Sequence, residues 1–558
     1  LDGNVGLKAG LATVNDGGYN SYAQIGHGGS WSGGSMIGNI TVKALGAGHT
    51  VSGAAGSDNQ NYVQIGHGGY DASYLSGAGT QFGTYDSNGG FGQSDTRNAS
   101  GQGWHLQYWY NPGYVFRTEY TSAVGNNALT FGAGVEFRRT ILGDITVQGD
   151  GGVTFNGGTT GGLTGNIAPG AFAQIGHGGR STGSDNTGNI TVDGGTGAVT
   201  FTAGHSDQDY AQIGHGGYEG DGNHNGNITV NAGTTGATGV EVRAGDRPDA
   251  YAQVGHGGTN ASSAARDATN PTVPLFKGNS GNITVNTAGN INFIAGTGSF
   301  LNSDEDSRNY VQLGHGGYNT DVHFITSVDV FDTGIGHHGD ISVTSTAGRL
   351  FFGAGDANRL DNPSWGLGEG RFHYAQLGHG GYESRGEHYG SITVDVAQDI
   401  TFLGGSTEDN DTDRVDYAML GHGGWTARGN MGRDDDVISV TAGDDIVFTA
   451  GNSQGSFVQL GNGGRDSRGD HKGDIIVDAG GSVIFSAVQG RHQIIGEEKN
   501  FDLTRATEFG TQTNDAIYDV EGSNIVPGTV VITIPNGPIL KDDGKGNIYV
   551  AGGTLGAF

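Results

Sequence analysis

The sequence predicts an all-β fold, a parallel β-helix of tandem glycine-rich repeats of about 40 residues, which we expect to be right-handed. Three observations predict it. Glycine supplies 112 of the 558 residues, an eight-residue block recurs at nearly regular steps, and short segments of alternating apolar and polar residues lie between the blocks. Self-similarity at a fixed period is typical of repeat proteins, whose units bury their apolar faces only by stacking on one another.

The composition excludes several other classes of protein. Proline contributes 9 residues, too few for collagen, and 21 Tyr with 23 Phe are too many for a disordered chain. The absence of cysteine excludes a disulfide scaffold and cysteine-ligated metals. A formal net charge of -30 disfavours nucleic acid and anionic lipid as partners. No apolar run approaches the ~20 residues that span a membrane. The start at Leu1, without Met, leads us to expect a processed product or a fragment.

The recurring block reads Tyr-Ala-Gln-Ile-Gly-His-Gly-Gly in its first copy, Tyr22–Gly29. Its histidine returns along the chain as His27, His67, His177, His215, His256, His315, His379 and His422. A ninth copy carries Asn462 instead. The position numbers of successive histidines differ by 40, 110, 38, 41, 59, 64 and 43. These differences fit a repeating unit of about 40 residues, which loop insertions lengthen in some copies. The step of 110 predicts either an insertion or one or two degenerate units.

Two further segments of each unit are predicted strands. One reads Gly-Asn/Asp-Ile-Thr/Ser-Val, as in Gly38–Val42, and the other ends in Ala-Gly or Gly-Gly, as in Val199–Gly204. Alternation with a period of two gives each segment one apolar face. Each unit therefore offers three short strands, which favours one coil per unit, although two coils per unit stay open. At one coil per unit we expect thirteen or fourteen coils and a rod roughly 65 Å long at ~4.8 Å per coil.

These coils resemble those of the filamentous haemagglutinin family, large bacterial exoproteins often exported by two-partner secretion. The similarity rests on Gly-Asn/Asp-Ile-Thr-Val followed by x-Gly-x-Val-x-Phe-x-Ala-Gly, and it covers most of residues 1–500. The Gln-Ile-Gly-His-Gly-Gly block is not a general motif of that family, and we find no match to its N-terminal secretion domain. The resemblance implies an extracellular protein of the bacterial cell surface, either an adhesin or a surface fibre.

The histidines admit two interpretations. Imidazoles stacked once per coil could bind a metal or carry protons. Alternatively, each is a corner residue that bonds the backbone of the adjacent coil. We favour the second, because asparagine replaces histidine at 462 and asparagine is a poor metal ligand. A charged row would also repel itself, so we expect neutral rings with lowered pKa values and a rod that loses stability as the pH falls.

Glutamine and an aromatic residue recur with the histidine. The glutamines are Gln24, Gln64, Gln174, Gln212, Gln253, Gln312, Gln376 and Gln459, and Met419 is the one exception. We expect a structural ladder in which the stacked amides hydrogen-bond along the rod axis, as in cross-β structures. The preceding Tyr or Phe is expected to stack as an aromatic ladder.

The loops that enter the blocks are acidic, which raises the question of calcium. The candidate ligands are Asp304, Asp306, Asp409, Asp411 and Asp413. Carboxylates at alternate positions can hold Ca²⁺, but no loop matches an EF-hand or the calcium-binding nonapeptide repeats. Solvated corners are the favoured interpretation and Ca²⁺ remains an alternative, with no cofactor required. Four copies of the strand signature also contain Asn-x-Thr, which we interpret as a turn residue and not as a glycosylation site.

Two segments leave the repeat, so we divide the chain into repeats at 1–80 and 141–500, an aromatic-rich segment at 81–140 and a C-terminal segment at 501–558. The aromatic-rich segment holds the candidate interface residues Trp104, Tyr108, Trp109 and Tyr110. They suit carbohydrate or a subunit contact, and a side loop or degenerate coil with its own core is equally consistent. Strands predicted near 530–534 and 547–550 would either cap the rod or join one subunit to the next.

The sequence therefore predicts an extracellular structural protein, a subunit of a bacterial surface fibre that assembles with itself. The first alternative is an adhesin stalk that binds carbohydrate, or the surfaces of host or neighbouring cells. A polysaccharide-acting enzyme is the second and is disfavoured, because such enzymes place their acids and bases at one non-repeating groove. Here the polar residues repeat along the rod, and no nucleophile, zinc or phosphate-binding motif occurs. We therefore name no catalytic residue.

Overall fold

The fold is known from a computed structural model, which describes twenty segments of the chain. They are residues 3–10, 21–32, 35–56, 60–72, 95–97, 104–106, 139–158, 170–233, 237–261, 278–296, 308–320, 336–355, 372–405, 415–451, 455–487, 493–495, 500–501, 531–533, 539–542 and 548–550. All named elements in these segments are β-strands. No helix in them is long and apolar enough to cross a membrane.

Three long parallel sheets run along the molecule. The phenylalanine sheet consists of Val5–Lys8, Val51–Ala54, Val153–Asn156, Val199–Thr202, Thr238–Arg243, Asn290–Ile294, Leu350–Gly353, Ile400–Leu403, Ile446–Ala450 and Val483–Ala487. The glutamine sheet consists of Tyr22–Ile25, Tyr62–Ile65, Ala173–Ile175, Ala211–Ile213, Ala252–Val254, Val311–Leu313, Tyr374–Leu377, Tyr417–Leu420, Phe457–Leu460 and Gln493–Ile495, followed by the antiparallel Asn500–Phe501. The isoleucine sheet consists of Ile40–Ala44, Ile145–Gly149, Ile190–Asp193, Ile228–Ala232, Ile283–Thr287, Ile341–Ser345, Ile392–Val396, Val437–Ala442 and Asp474–Ala479.

Shorter strands complete the fold. Along one corner lie Met36–Ile37, Arg139–Leu142, Ser184–Thr187, His224–Asn225, Gly336–His338 and Glu387–Tyr389, in two parallel groups joined by isolated bridges. We call these the corner strands. Two antiparallel sets stand apart from the long sheets: Asp95–Arg97 with Trp104–Leu106, and Val531–Thr533 with Ile539–Asp542 and Ile548–Val550.

The predicted parallel β-helix is confirmed, with one coil for each repeating unit. Nine coils contribute one strand to every long sheet, and one more parallel strand extends the phenylalanine sheet at its start and the glutamine sheet at its end. Like residues pair in register, as in Ile145 with Ile190 and Phe155 with Phe201. The predicted thirteen or fourteen coils were too many. In the described segments the phenylalanine and glutamine sheets each hold ten parallel strands, because several repeating units are much longer than the shortest ones, as the 110 positions from His67 to His177 show. Ten coils give a rod of about 45 Å at about 4.8 Å per coil. Right-handedness stays a prediction.

The long step between His67 and His177 is an insertion within one coil. Val63 pairs directly with Ala173, so no degenerate unit lies between these two coils. The length of the insertion follows from the distance between the block histidine and the polar residue before the isoleucine strand. This distance is 77 positions in the coil that begins with His67, from His67 to Asp144, but 12 positions in the next coil, from His177 to Asn189. The coil that begins with His67 therefore carries 65 additional residues.

Alternation of side chains builds the core. In Ile145–Gly149 the Ile and Val side chains are buried, whereas Thr146 is partly exposed on the outer face. The same pattern in all three long sheets produces one continuous apolar core. Phenylalanines stack through it, with ring centroids 4.7 Å apart between Phe402 and Phe448. Burial of this kind stabilises the fold by about 25 cal/mol per Å² of apolar surface, but only when neighbouring coils are present.

Candidate functional site

The repeated block places its side chains in three columns along the glutamine sheet. Interior strands of this sheet are buried on both faces. Ala and Ile point into the central core, while the aromatic ring and the glutamine lie on the other face, in a second apolar cluster. The Gly-His-Gly-Gly turn follows directly. A Cβ on Gly176 would overlap the carbonyl oxygen of Gly214 in the next coil, so the first glycine of the turn permits the close approach of two coils.

The eight block histidines form one continuous stack. Neighbouring ring centroids are 4.7 to 4.9 Å apart and the rings are within 11° of parallel. Every ring from His67 to His422 makes the same two hydrogen bonds. For His215, Nδ1 accepts the backbone N–H of His177 at 2.9 Å, and Nε2 lies 2.8 Å from the carbonyl oxygen of Gly188. The first and last members of the stack, His27 and His422, differ in their surroundings and are considered below.

These contacts determine the state of the ring. A backbone N–H can only donate and a carbonyl can only accept, so Nδ1 must be unprotonated and Nε2 must carry the hydrogen. Burial lowers the pKa of His215 and of His315 to about 3. Burial and the neighbouring histidines also hold the pKa of His256 well below its ordinary value. The rings from His67 to His422 are therefore neutral near pH 7, and the hydrogen bonds occupy both of their nitrogens.

Asn462 shows which property of histidine the row uses. Its Oδ1 accepts the N–H of His422 at 2.9 Å, and its Nδ2 donates to the carbonyl of Lys472 at 2.7 Å. The amide thus reproduces the acceptor that links two coils, whereas its donor bonds a carbonyl of its own coil and not one of the preceding coil, as Nε2 of His422 does with Gly390. This geometry matches the interpretation of the histidines as residues that bond the backbone of the adjacent coil.

The glutamines bond along the rod axis, but not to one another as expected. Nε2 of Gln174 donates to the carbonyls of Gly214 at 2.9 Å and Gly216 at 3.0 Å in the next coil. The same pair of bonds recurs from Gln24 to Gln376. Two glycine carbonyls of the next coil approach the amide nitrogen, and they take the place of the neighbouring amide. The row therefore ties side chain to backbone and is not an amide ladder.

The aromatic residues of the block stack from Tyr22 to Phe457. Ring centroids lie 4.6 to 5.0 Å apart and the planes are within 5° of parallel. Burial raises the pKa of Tyr210 well above its ordinary value, so the phenol stays neutral. Phe172 and Phe457 occupy the same row, which shows that ring stacking and not the hydroxyl is the common requirement.

A further column of side chains, which sequence reasoning missed, lies beside the histidine stack. Its members on or near the corner strands are Met36, Ile141, Asn186, His224, Asn279, His337, His388, Met431 and His471. A Cβ on the second turn glycine would contact these side chains, for example Asn186 from Gly178. The available signal was a constant spacing: His224 follows His215 by nine residues, and His388 follows His379 by nine.

The polar residues that precede the isoleucine strands form another row, which is exposed to solvent. Oδ1 of Asn189 accepts the N–H of Asn227 at 2.9 Å, and the pattern runs from Asn39 to Asp340. Asparagine and aspartate serve equally because only the oxygen is used. This role accounts for the Asn-x-Thr pattern without glycosylation.

The remaining candidate residues lie wholly or partly outside the described segments. All five candidate calcium ligands, Asp304, Asp306, Asp409, Asp411 and Asp413, fall there. So do Tyr108, Trp109 and Tyr110, whereas Trp104 begins the short strand Trp104–Leu106. Within the segments that are described, no group of three or more His, Asp or Glu side chains is arranged to hold a metal ion.

Comparison with models of protein families, with curated proteins and with solved structures found no match to this chain.

Proposed function

We propose that this protein is an extracellular structural protein, a subunit of a bacterial surface fibre of the filamentous-haemagglutinin type. One observation carries the proposal: the repeated polar side chains are consumed in bonds between coils. Imidazole nitrogens, glutamine amides and corner carboxamides each hold the backbone of a neighbouring coil. Side chains used in this way build a scaffold and are not available to bind or transform a substrate. We therefore propose no catalytic role.

Self-assembly is supported by the two ends of the described solenoid. In the last coil Ile475, Ile476, Val477, Val483 and Ile484 are between 38% and 55% exposed, although the corresponding side chains at 438, 440 and 446 are buried. In the first coil Tyr22, Trp31, Ile37 and Leu45 are exposed. Open parallel edges that carry apolar side chains are templates for pairing with another chain.

Negative-stain microscopy and light scattering of the purified full chain test the fibre. We expect rods much longer than about 45 Å, formed in a concentration-dependent way. A double variant with Ile476→Lys and Ile484→Lys should abolish them, because charge on an edge strand blocks pairing. The control carries Thr191→Lys and Thr200→Lys, at the same sheet positions in a central coil, and should still assemble. Single short rods at every concentration would contradict the fibre.

The adhesin is the second candidate, and the 65 additional residues in one coil favour it. The neighbouring coils pair across this insertion, so the rod does not need it for continuity. The next coil has one residue, Gly183, between Thr182 and Ser184, which correspond to Ala72 and Arg139. Deleting residues 74–138 therefore restores the ordinary coil length. An adhesin should lose binding to surface carbohydrate in this variant while its circular dichroism stays that of the parent.

Calcium belongs to the proposal only as an alternative. Neither the fibre nor the adhesin requires a cofactor, and the acidic loops would supply the ligands if Ca²⁺ bound. Calorimetric titration of the chelated full chain with Ca²⁺ decides the matter. Binding that disappears when Asp409, Asp411 and Asp413 are changed to Asn would support the site, and no heat of binding would remove it.

A further inference from the structure

The two ends of the histidine row are chemically different. At the N-terminal end His27 is exposed, and in the described residues its ring nitrogens accept and donate no hydrogen bond. At the C-terminal end the row finishes in Asn462, which accepts the N–H of His422 as each imidazole accepts that of its predecessor, but which donates to Lys472 in its own coil and has no basic nitrogen. Between them every ring is buried. The hydrogen bonds between coils along the row therefore have titratable imidazole acceptors, except for the last one, which has the amide oxygen of Asn462 as its acceptor.

Each histidine from His67 onwards links its own coil to the one before it. Nδ1 of His67 accepts the N–H of His27 at 2.8 Å, and Nε2 lies 2.7 Å from the carbonyl of Gly38 in the same preceding coil. Protonation places a hydrogen on Nδ1, directly facing the N–H that it had accepted. The link then becomes a contact between two donors in a site with little access to water, and the two coils are driven apart.

We infer that acid opens the rod directionally, coil by coil from the N-terminal end, with His67 as the first link to break. Water and protons reach His67 past the exposed His27, whereas His177 and the rings after it are covered by coils on both sides. Release of the first coil gives His177 the exposure that His67 had before. Each step thereby prepares the next one, as expected for a solenoid whose coils contact only their neighbours.

The groups that face the row act on the protonation of its members. They come from the corner before the isoleucine sheet and from the corner strands: Asp144, Asp340, Asp436, His224, His337, His338 and His388. The carboxylates favour a charged ring at His177 and His422, and the additional histidines oppose it. His422 lies beneath the coil of Asn462, whose bond to His422 does not titrate. The contact between His422 and Asn462 therefore stays closed.

Hydrogen exchange followed by mass spectrometry on the full chain tests the inference, between pH 7 and pH 3 and with correction for the intrinsic exchange rate. Peptides that cover residues 21–32 and 60–72 should lose protection at the highest pH, and those that cover 455–464 at the lowest. Loss of protection in all coils at a single pH, or first at the C-terminal end, would overturn the proposal.

Two variants exchange the chemistry of the ends. His67→Asn installs the amide that already works at position 462, and it should keep the first two coils protected to lower pH. Asn462→His adds a titratable link at the other end, so residues 455–464 should open at higher pH than in the parent. The second variant does not depend on the folding of the first. Unchanged opening in both, with parental protection at pH 7, would refute the proposal. Because neither readout involves assembly, a failure of the fibre proposal would leave this result unaffected.

Discussion

A single substitution in the middle of the histidine row distinguishes a hydrogen-bonded link from simple packing. In His215→Ala, the buried N–H of His177 loses its acceptor, which costs about 1–3 kcal/mol. Loss of the ring, which stacks between His177 and His256, adds about 2–4 kcal/mol for contacts and cavity. The carbonyl of Gly188 lies at the rim, where water can replace the imidazole. The local destabilisation should therefore be about 3–7 kcal/mol.

His215→Asn is the matched control. Asparagine keeps one acceptor and one donor in the positions that Asn462 uses, so its cost should be about 1–2 kcal/mol, mainly from the smaller contact area. A long solenoid does not unfold in one step. The appropriate assay is therefore hydrogen exchange of the His177 amide at pH 7, supported by thermal unfolding. If His215→Asn accelerates exchange as much as His215→Ala, hydrogen bonding is not what the row provides.

Three further predictions concern the pH, the glycines and the aromatic row. The folded pKa values of the buried histidines lie below the unfolded value, which is near 6.5. The free energy of unfolding should therefore be highest above pH 6.5 and should fall by about 1.4 kcal/mol per histidine for each pH unit below it. For His215 and His315 this decline continues to about pH 3. Thermal unfolding measured from pH 7 to pH 4 should show this decline, and a flat profile would contradict it. Gly176→Ala should lower the free energy of unfolding by at least about 3 kcal/mol, because the added Cβ would overlap the backbone of Gly214. The control is Gly3→Ala, which should leave the unfolding temperature unchanged because the space around Gly3 is open. Tyr210→Phe should change stability by less than about 1 kcal/mol and Tyr210→Ala should cost about 3–5 kcal/mol, and equal losses in the two variants would show that the hydroxyl matters.

The fold could be predicted because its period is written in the sequence. Alternation of Ile-Thr-Val and Val-Thr-Phe fixed which side chains face the core, and the recurring histidine fixed the register between coils. The number of coils could not be predicted from length, because an insertion lengthens the chain without adding a strand to the three long sheets. Only the direct pairing of Val63 with Ala173 separates an insertion from a degenerate unit.

The site was predictable in its members and less so in its contacts. The role of the histidine followed from the exchange with Asn462, since an amide and a neutral imidazole share a donor and an acceptor. The acceptor of the glutamine amide did not follow, because two glycine carbonyls at 2.9 and 3.0 Å from Gln174 exist only once the turn has formed. The column beside the histidine stack could not be recognised from the sequence, because methionine, asparagine and histidine occupy equivalent positions in it but have no side-chain group in common.

The stacking of one coil per unit can be measured directly by electron paramagnetic resonance. The chain has no native cysteine, so pairs of spin labels can be introduced at Cys substitutions of the exposed or partly exposed row Thr41, Thr146, Thr393 and Ser439. These positions pair in register through successive coils of the isoleucine sheet. The pairs 146 with 393, 41 with 393 and 41 with 439 span five, six and seven coils, and should give backbone separations of about 24, 29 and 34 Å. Distances near twice these values, or distances that do not rise by a constant step, would contradict the account.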